Sequence, residues 1–250
     1  MTLTNHTNVV SALAWSGEGL LYTAGRDAMI YCWSPLDGKL VRSLKGHGHW
    51  VNTLALSSEY ALRTGAFDHH GKVGGGAPAG GDGDAVAAAQ KASAVTRYND
   101  ATGGSPERLV SGSDDFTLFL WHPATSKTPV ARLTGHQQLV NCVRFSPNGS
   151  KLASASFDKS VRLWDGFTGA FLHTLRGHVG PVYQLAWSAD SRQLVSSSKD
   201  STLKLWCPRT GALRADLPGH EDEVFAVDWA PAGGRVASGG KDTRTRIWRQ

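Results

Sequence analysis

Apolar residues return along this chain at close to every second position, in short runs separated by turn residues. After His136 the run is Val140, Val143 and Phe145; after His178 it is Val182, Leu185 and Trp187. Turns such as Ser146-Pro147-Asn148-Gly149 and Ser188-Ala189-Asp190-Ser191 follow, and then second runs such as Lys151-Leu152-Ala153-Ser154. A tight turn holding an aspartate leads into Ser160-Val161-Arg162-Leu163-Trp164, and Phe167-Thr168-Gly169 precedes a fourth run. Two-residue periodicity bounded by Gly, Pro, Asn and Ser is the pattern of half-buried strands. The chain is therefore expected to be all-β, built of four-stranded units.

The units repeat. Gly46-His47, Gly135-His136, Gly177-His178 and Gly219-His220 share a Gly-His pair, and Asn5-His6 is a weaker copy. Successive histidines lie 41 residues apart from His6 to His47, and 42 apart from His136 to His178 and from His178 to His220. A tryptophan follows each histidine by 27 or 28 residues at Trp33, Trp164, Trp206 and Trp248, and by 74 at Trp121, where an insertion intervenes. This period, with its Gly-His and Trp-Asp marks, resembles the WD40 repeat, the four-stranded blade of a β-propeller. Only Trp164-Asp165 keeps the literal Trp-Asp pair. The expected fold is a WD40 β-propeller of five four-stranded blades, a partial propeller or open arc within one domain over residues 1–250. The blades are expected near residues 5–45, 46–134, 135–176, 177–218 and 219–250. The last would be completed by residues 1–4, which align with the fourth-strand segment Ala215-Asp216-Leu217-Pro218.

Composition narrows the picture little. The chain has 250 residues, 40% of them hydrophobic and 19% charged, an ordinary globular balance. No apolar run reaches the ~18 residues of a membrane helix, and Met1–Val10 lacks the pattern of a secretory signal. Three cysteines without close spacing argue against a disulfide framework and for a reducing compartment. A formal charge of +5 favours acidic partners, although the basic residues are scattered, apart from Arg244, Arg246 and Arg249 on what reads as a solvated strand face.

Each unit places a His, a Ser or Thr, an Asp and a Trp in register. The five sets are His6, Thr23, Asp27 and Trp33; His47, Ser111, Asp115 and Trp121; His136, Ser154, Asp158 and Trp164; His178, Ser196, Asp200 and Trp206; and His220, Ser238, Asp242 and Trp248. Ser, His and Asp together suggest a hydrolase triad, but an enzyme needs one such set in one pocket, and here it recurs in every repeat. WD40 resemblance implies a structural tetrad, in which a buried indole, imidazole and carboxylate satisfy one another. No other constellation points to catalysis, a cofactor or a metal. Val73-Gly74-Gly75-Gly76-Ala77 lacks the Lys-Ser/Thr of a phosphate loop, and His69-His70 has no further ligand at a metal-binding spacing. The expected protein is non-enzymatic, with no small-molecule substrate and no membrane.

Between residues 68 and 107 the repeat stops. Gly71–Gly83 is rich in Gly and Ala and expected to be flexible, while Asp84–Arg97 has helical propensity with Asp84 as its N-cap. Strand residues resume at Arg108-Leu109-Val110-Ser111. What this long loop does is not written in its composition.

Several segments go beyond the generic repeat: Ala61-Leu62-Arg63-Thr64-Gly65-Ala66-Phe67 before the insertion, Pro106 through Trp121 after it, Ala155-Ser156-Phe157-Asp158-Lys159-Ser160, Val182 through Ser191, Asp216-Leu217-Pro218-Gly219-His220, and Val236-Ala237-Ser238-Gly239-Gly240-Lys241-Asp242. Together they resemble the Notchless family of WD-repeat ribosome assembly proteins. That resemblance implies a scaffold of the nucleus and nucleolus that binds the pre-ribosomal particle, its proteins and rRNA, during large (60S) subunit assembly and links it to a midasin-type AAA ATPase. Family members carry an N-terminal ubiquitin-like domain, which docks on the ATPase, ahead of eight blades. This sequence matches the C-terminal five, so it is expected to be a piece of a longer protein whose ATPase-docking domain lies outside it. Blades shaped for a wider ring are expected to leave an open or strained arc. A generic WD40 adaptor, such as a ubiquitin ligase substrate receptor or a signalling scaffold that includes Notch regulation, is the alternative.

In WD40 proteins the narrower face carries most partner contacts. The resemblance places that face at Trp50, Asn52, Leu139, Asn141, Phe157, Tyr183, Lys199, Glu223, Phe225 and Lys241, with Val9, Ser11, Arg26, Asp114 and Pro181 in equivalent positions. Aromatic side chains beside lysines suit protein contact, and the lysines suit phosphate.

Overall fold

The computed structural model describes residues 1–64 and 83–249. Expectations for the glycine-rich run and for His69-His70 fall largely or wholly outside these residues, and so does the side chain of Asp84.

Five antiparallel sheets follow one another along the chain. The first is built of β1 (Val10–Trp15), β2 (Leu21–Gly25), β3 (Met29–Trp33) and β4 (Leu40–Lys45), and the second of β5 (Val51–Leu56), β6 (Leu109–Ser113), β7 (Leu118–Trp121) and β8 (Ala131–Leu133). Strands β9 (Val140–Phe145), β10 (Lys151–Ser156), β11 (Ser160–Asp165) and β12 (Phe171–Arg176) make the third. The fourth holds β13 (Val182–Trp187), β14 (Leu194–Ser198), β15 (Thr202–Cys207) and β16 (Ala212–Pro218), and the fifth β17 (Val224–Trp229), β18 (Arg235–Gly240) and β19 (Thr245–Arg249). Every strand pairs with its sequence neighbour, the up-and-down meander of a propeller blade.

The first strand of each sheet packs on the first strand of the next, β1 on β5, β5 on β9, β9 on β13 and β13 on β17. Four apolar cores fill the seams between successive sheets. The arc does not close, and the open ends show why interior strands are so apolar. Leu185 in β13, covered by a neighbouring sheet, is 1% exposed, whereas Leu13 at the matching position of β1 is 66% exposed. Trp15 and, at the far end, Ile247 of β19 are likewise exposed.

One expectation is corrected here. The fifth sheet has three strands and is not completed by residues 1–4, which form no strand. Met1 and Leu3 instead lie beside Gly38 in the β3–β4 turn of the first sheet. First strands pack from each sheet to the next, so the N-terminal segment, seated on the first sheet, belongs to the opposite end of the arc from β19.

Two helices occupy the long β5–β6 connection: α1 (Glu59–Thr64) and α2 (Gly83–Thr102). The second runs further than the sequence suggests. Its Tyr98 ring lies against the β1–β2 turn, where a Cβ built on Gly17 would meet it at 2.1 Å, so only glycine leaves room for that contact. Beneath it, the buried Glu107 carboxylate accepts from the Ser16 and Ser58 hydroxyls and, at 3.4 Å, from the Gly17 N–H. This ties the first sheet to the insertion and to the start of β6.

Candidate functional site

The rim that carries the β2–β3-type turns and the links between sheets holds all five polar sets. In each, the imidazole Nδ1 lies 2.8 Å from the aspartate: His6–Asp27, His47–Asp115, His136–Asp158, His178–Asp200 and His220–Asp242. The other ring nitrogen lies 2.7–2.8 Å from the hydroxyl of Thr23, Ser111, Ser154, Ser196 or Ser238. That hydroxyl accepts the indole N–H of Trp33, Trp121, Trp164, Trp206 or Trp248 at 2.8–2.9 Å. Since the carboxylate can only accept, Nδ1 carries the proton, Nε2 accepts from the hydroxyl, and the hydroxyl accepts from the indole. The chain of donors runs one way, and the residues whose hydroxyls link imidazole and indole are all buried.

Each aspartate does more than hold its histidine. It also accepts the backbone N–H of the residue after the histidine, at Thr7, Gly48, Gln137, Val179 and Glu221, which pins the inter-sheet link. Burial pushes the Asp115, Asp158 and Asp200 carboxyls upward, but hydrogen bonds from their histidines and from Thr117, Ser160 and Thr202 outweigh it and hold them far below the usual carboxylate range. Burial depresses the His136 imidazole, which favours the neutral ring that the network needs. The residue after each aspartate, Ala28, Phe116, Lys159, Ser201 or Thr243, is left-handed, with φ between 61° and 68°. None is a glycine or asparagine, so nothing in the residue type announces this conformation. The glycine of the Gly-His pair has a steric reason, since a Cβ at Gly46, Gly177 or Gly219 would lie 3.2 Å from the tip of the tryptophan ring in its own unit.

The expected partner face divides into two groups. Asn52 and Asn141 spend their amide N–H groups on the next sheet. Asn52 donates to the Val140 carbonyl at 3.1 Å and Asn141 to the Tyr183 carbonyl at 2.7 Å, and the Ser11 hydroxyl donates likewise to the Val51 carbonyl. These three sit at one register position and brace neighbouring sheets. Asn52 also donates to Asp114, and the Leu139 carbonyl accepts from the Phe157 N–H.

The second group faces outward. Phe157, Tyr183 and Phe225 form a row across the third, fourth and fifth sheets, with centroids 5.8 and 5.2 Å apart. Tyr183 donates its hydroxyl to Glu223 at 2.7 Å, which fixes the middle ring and raises its pKa to about 12 along with burial. Lys199 and Lys241 lie 3.8 and 3.9 Å from the same carboxylate, and Lys241 also lies 3.5 Å from Asp222. Phe225 is exposed. Trp50 stands apart at the second sheet, with the Arg26 guanidinium 4.4 Å over its ring and His49 beside it.

A polar tetrad repeated in each of five meander sheets, with first strands packed side by side, defines a WD-repeat propeller arc, and the chain belongs to the WD domain, G-beta repeat family, which it matches at residues 1–34, 127–165, 169–207 and 211–249. The second unit, interrupted by the insertion, lies largely between these matches yet folds into the same sheet with the same tetrad. Among known proteins the chain is similar to the Notchless protein homolog of Arabidopsis thaliana, 59% identical over 179 residues, 72% of this chain and 36% of that protein. It is 51% identical over 137 residues to ribosome assembly protein 4 of Saccharomyces cerevisiae, 55% of this chain and 25% of that one. With Protein Notchless of Drosophila melanogaster it shares 50% identity over 148 residues, 59% of this chain and 29% of the relative. The chain thus spans between a quarter and just over a third of the length of these relatives.

Proposed function

We propose that this chain is a non-enzymatic WD-repeat scaffold in assembly of the large ribosomal subunit, acting in the nucleolus by holding the pre-ribosomal particle. The observation that carries this reading is the similarity to ribosome assembly protein 4 across the repeats. The five hydrogen-bonded sets act as structural tetrads, since each donor and acceptor is spent inside its own blade. Partner contact falls to the aromatic row of Phe157, Tyr183 and Phe225 and to Trp50. Lys199 and Lys241 are compensated by Glu223 and Asp222, so a near-neutral aromatic surface meets a protein of the particle rather than bare rRNA phosphate. Engagement of a midasin-type ATPase is assigned to parts of the full-length protein outside these residues.

A density gradient of nuclear extract, blotted with an antibody to the last repeat, tests the reading. Co-sedimentation with precursors of the large subunit is the expected result. Recovery at the top of the gradient, with ligase components and without rRNA, would transfer the chain to the adaptor class. Replacing Trp50 and Tyr183 together by alanine is expected to release the chain from the particle while its melting temperature stays within a few degrees of the parent.

A further inference from the structure

Along the tetrad rim, a residue in the β2–β3-type turn of one sheet meets the residue that precedes the first strand of the next. Arg26 and Lys199 hold the turn position, and their N–H groups donate to Val9 and Pro181 at 2.8 and 2.9 Å. Trp50 and Glu223 hold the other, and their carbonyls accept from Asp114 and Lys241 at 2.9 and 2.8 Å.

The two meeting pairs differ in charge. Between the fourth and fifth sheets, Lys199 lies 3.8 Å from the Glu223 carboxylate, which answers it. Between the first and second, the Arg26 guanidinium lies 4.4 Å over the Trp50 ring. An indole attracts a cation through its quadrupole but carries no charge to neutralise it. Arg26 is exposed, and among the described residues it makes no ion pair and its guanidinium no hydrogen bond. Contact with a ring face leaves the in-plane N–H donors of a guanidinium unspent. Trp50 is itself 37% exposed, while every other tryptophan except Trp15 at the open end is buried or half-buried. Asp114 beside it is engaged elsewhere, accepting the Asn52 amide at 2.6 Å, with its other oxygen 3.5 Å from the His49 imidazole. An unanswered cation and a flat aromatic surface thus stand side by side in solvent.

We propose that Arg26 and Trp50 hold one unpaired nucleotide of RNA, a phosphate oxygen accepting from the guanidinium edge and the base stacking on the exposed indole. Unstacked bases are held on aromatic rings and their phosphates by cations. An acidic peptide would gain from the charge and little from the ring. The choice of RNA rests on the reading of this chain as a scaffold of the pre-ribosomal particle, whereas the pairing of cation and ring rests on geometry. The rim is then divided: the compensated row of Phe157, Tyr183 and Phe225 meets protein, and the Trp50 end meets RNA.

Fluorescence anisotropy of labelled single-stranded oligouridylate, titrated with the full chain, tests this. An RNA duplex of equal length and oligoglutamate are the comparison probes. Saturable binding of oligouridylate is expected, with duplex and oligoglutamate at least about ten-fold weaker. Leucine fills the equivalent position at residue 139, so Trp50→Leu is expected to fold. It should weaken binding at least about ten-fold and leave the salt dependence unchanged. Arg26→Gln should weaken binding and reduce the slope of log affinity against log salt by about 0.7, the value of one phosphate contact. Tyr183→Ala, in the row, should leave oligouridylate binding unchanged. Circular dichroism reports that each variant is folded, and Arg26→Gln decides the matter should Trp50→Leu not fold. No binding, equal binding of duplex or oligoglutamate, or full binding by folded Trp50→Leu or Arg26→Gln would each overturn the proposal. The scaffold reading is judged separately, by sedimentation with the particle, so the two failures are distinguishable.

Discussion

Two kinds of buried polar assembly sit at opposite rims of this arc. The tetrads occur five times, and their carboxylates are held low because hydrogen bonds from imidazole, hydroxyl and backbone outweigh burial. The nest around Glu107 occurs once, and there burial outweighs the bonds from Ser16, Ser58 and Gly17, so the carboxyl rises above its usual range. The tetrads use ionisation to lock a turn. In the nest, the charge opposes its own burial. Both assemblies centre on a carboxylate, and the number and geometry of donors decide the sign.

The contrast is sharpest in single substitutions. His178→Ala removes a donor from Asp200 and the acceptor of the Ser196 hydroxyl and is expected to cost on the order of 1–3 kcal/mol in urea unfolding. Glu107→Gln keeps an acceptor for one serine, sets its amide NH2 against the other, whose hydroxyl can turn to accept it, and removes the charge, so a change of less than about 1 kcal/mol is expected. A larger loss there would mean that the nest needs its charge, as the tetrads do.

The pH dependence separates the two next. A depressed carboxyl contributes stability that is complete above its unfolded pKa near 4 and is lost as pH falls through the folded value. The chain should therefore weaken steadily below about pH 4 through Asp115, Asp158 and Asp200. His136, also depressed, adds to the loss from about pH 6.5 downward, as protonation becomes easier in the unfolded chain. Glu107 works the other way: its raised pKa contributes stability below about pH 4.5 that vanishes as pH rises through the folded value. Glu107→Gln should then gain on the parent between acid and neutral pH; a variant that instead loses ground as pH rises would show the nest titrating like the tetrads.

Two smaller effects distinguish bonded from unbonded versions of one motif. Trp187→Phe loses a hydrogen bond to the Arg144 carbonyl and should cost about 1 kcal/mol, whereas Trp229→Phe removes an unpaired donor and should stay within about 0.5 kcal/mol. Lys159→Gly, at a left-handed position, should raise the melting temperature slightly, by the equivalent of about 0.5–1 kcal/mol. No change would mean that the Asp158 turn holds Lys159 there without strain.

Repetition decided what was legible. Spacing between histidines and tryptophans marks the five units, because a buried polar set must recur in register with the strands that carry it. Features that occur once had no such signal. Helix α2 has no apolar stripe, and its approach to Gly17 through Tyr98 is set by tertiary packing. The left-handed Ala28, Phe116, Lys159, Ser201 and Thr243 do recur, but they are imposed by the preceding aspartate rather than by their own side chains. Asn52 and Asn141 share a polar register position, and polarity at a rim does not reveal whether a side chain faces solvent or the neighbouring sheet.

Packing of first strands from each sheet to the next has a consequence for how the arc comes apart. Where a closed ring would have to break two seams to release a blade, this chain can shed its first blade by breaking one, and β1 already has one bare face. Its stability is then a nearest-neighbour sum, as in a solenoid. Amide exchange should grade from fast in β1 and β19 to slow in β9 and β13, with melting spread over a broader range of temperature than a single cooperative domain of 250 residues would show.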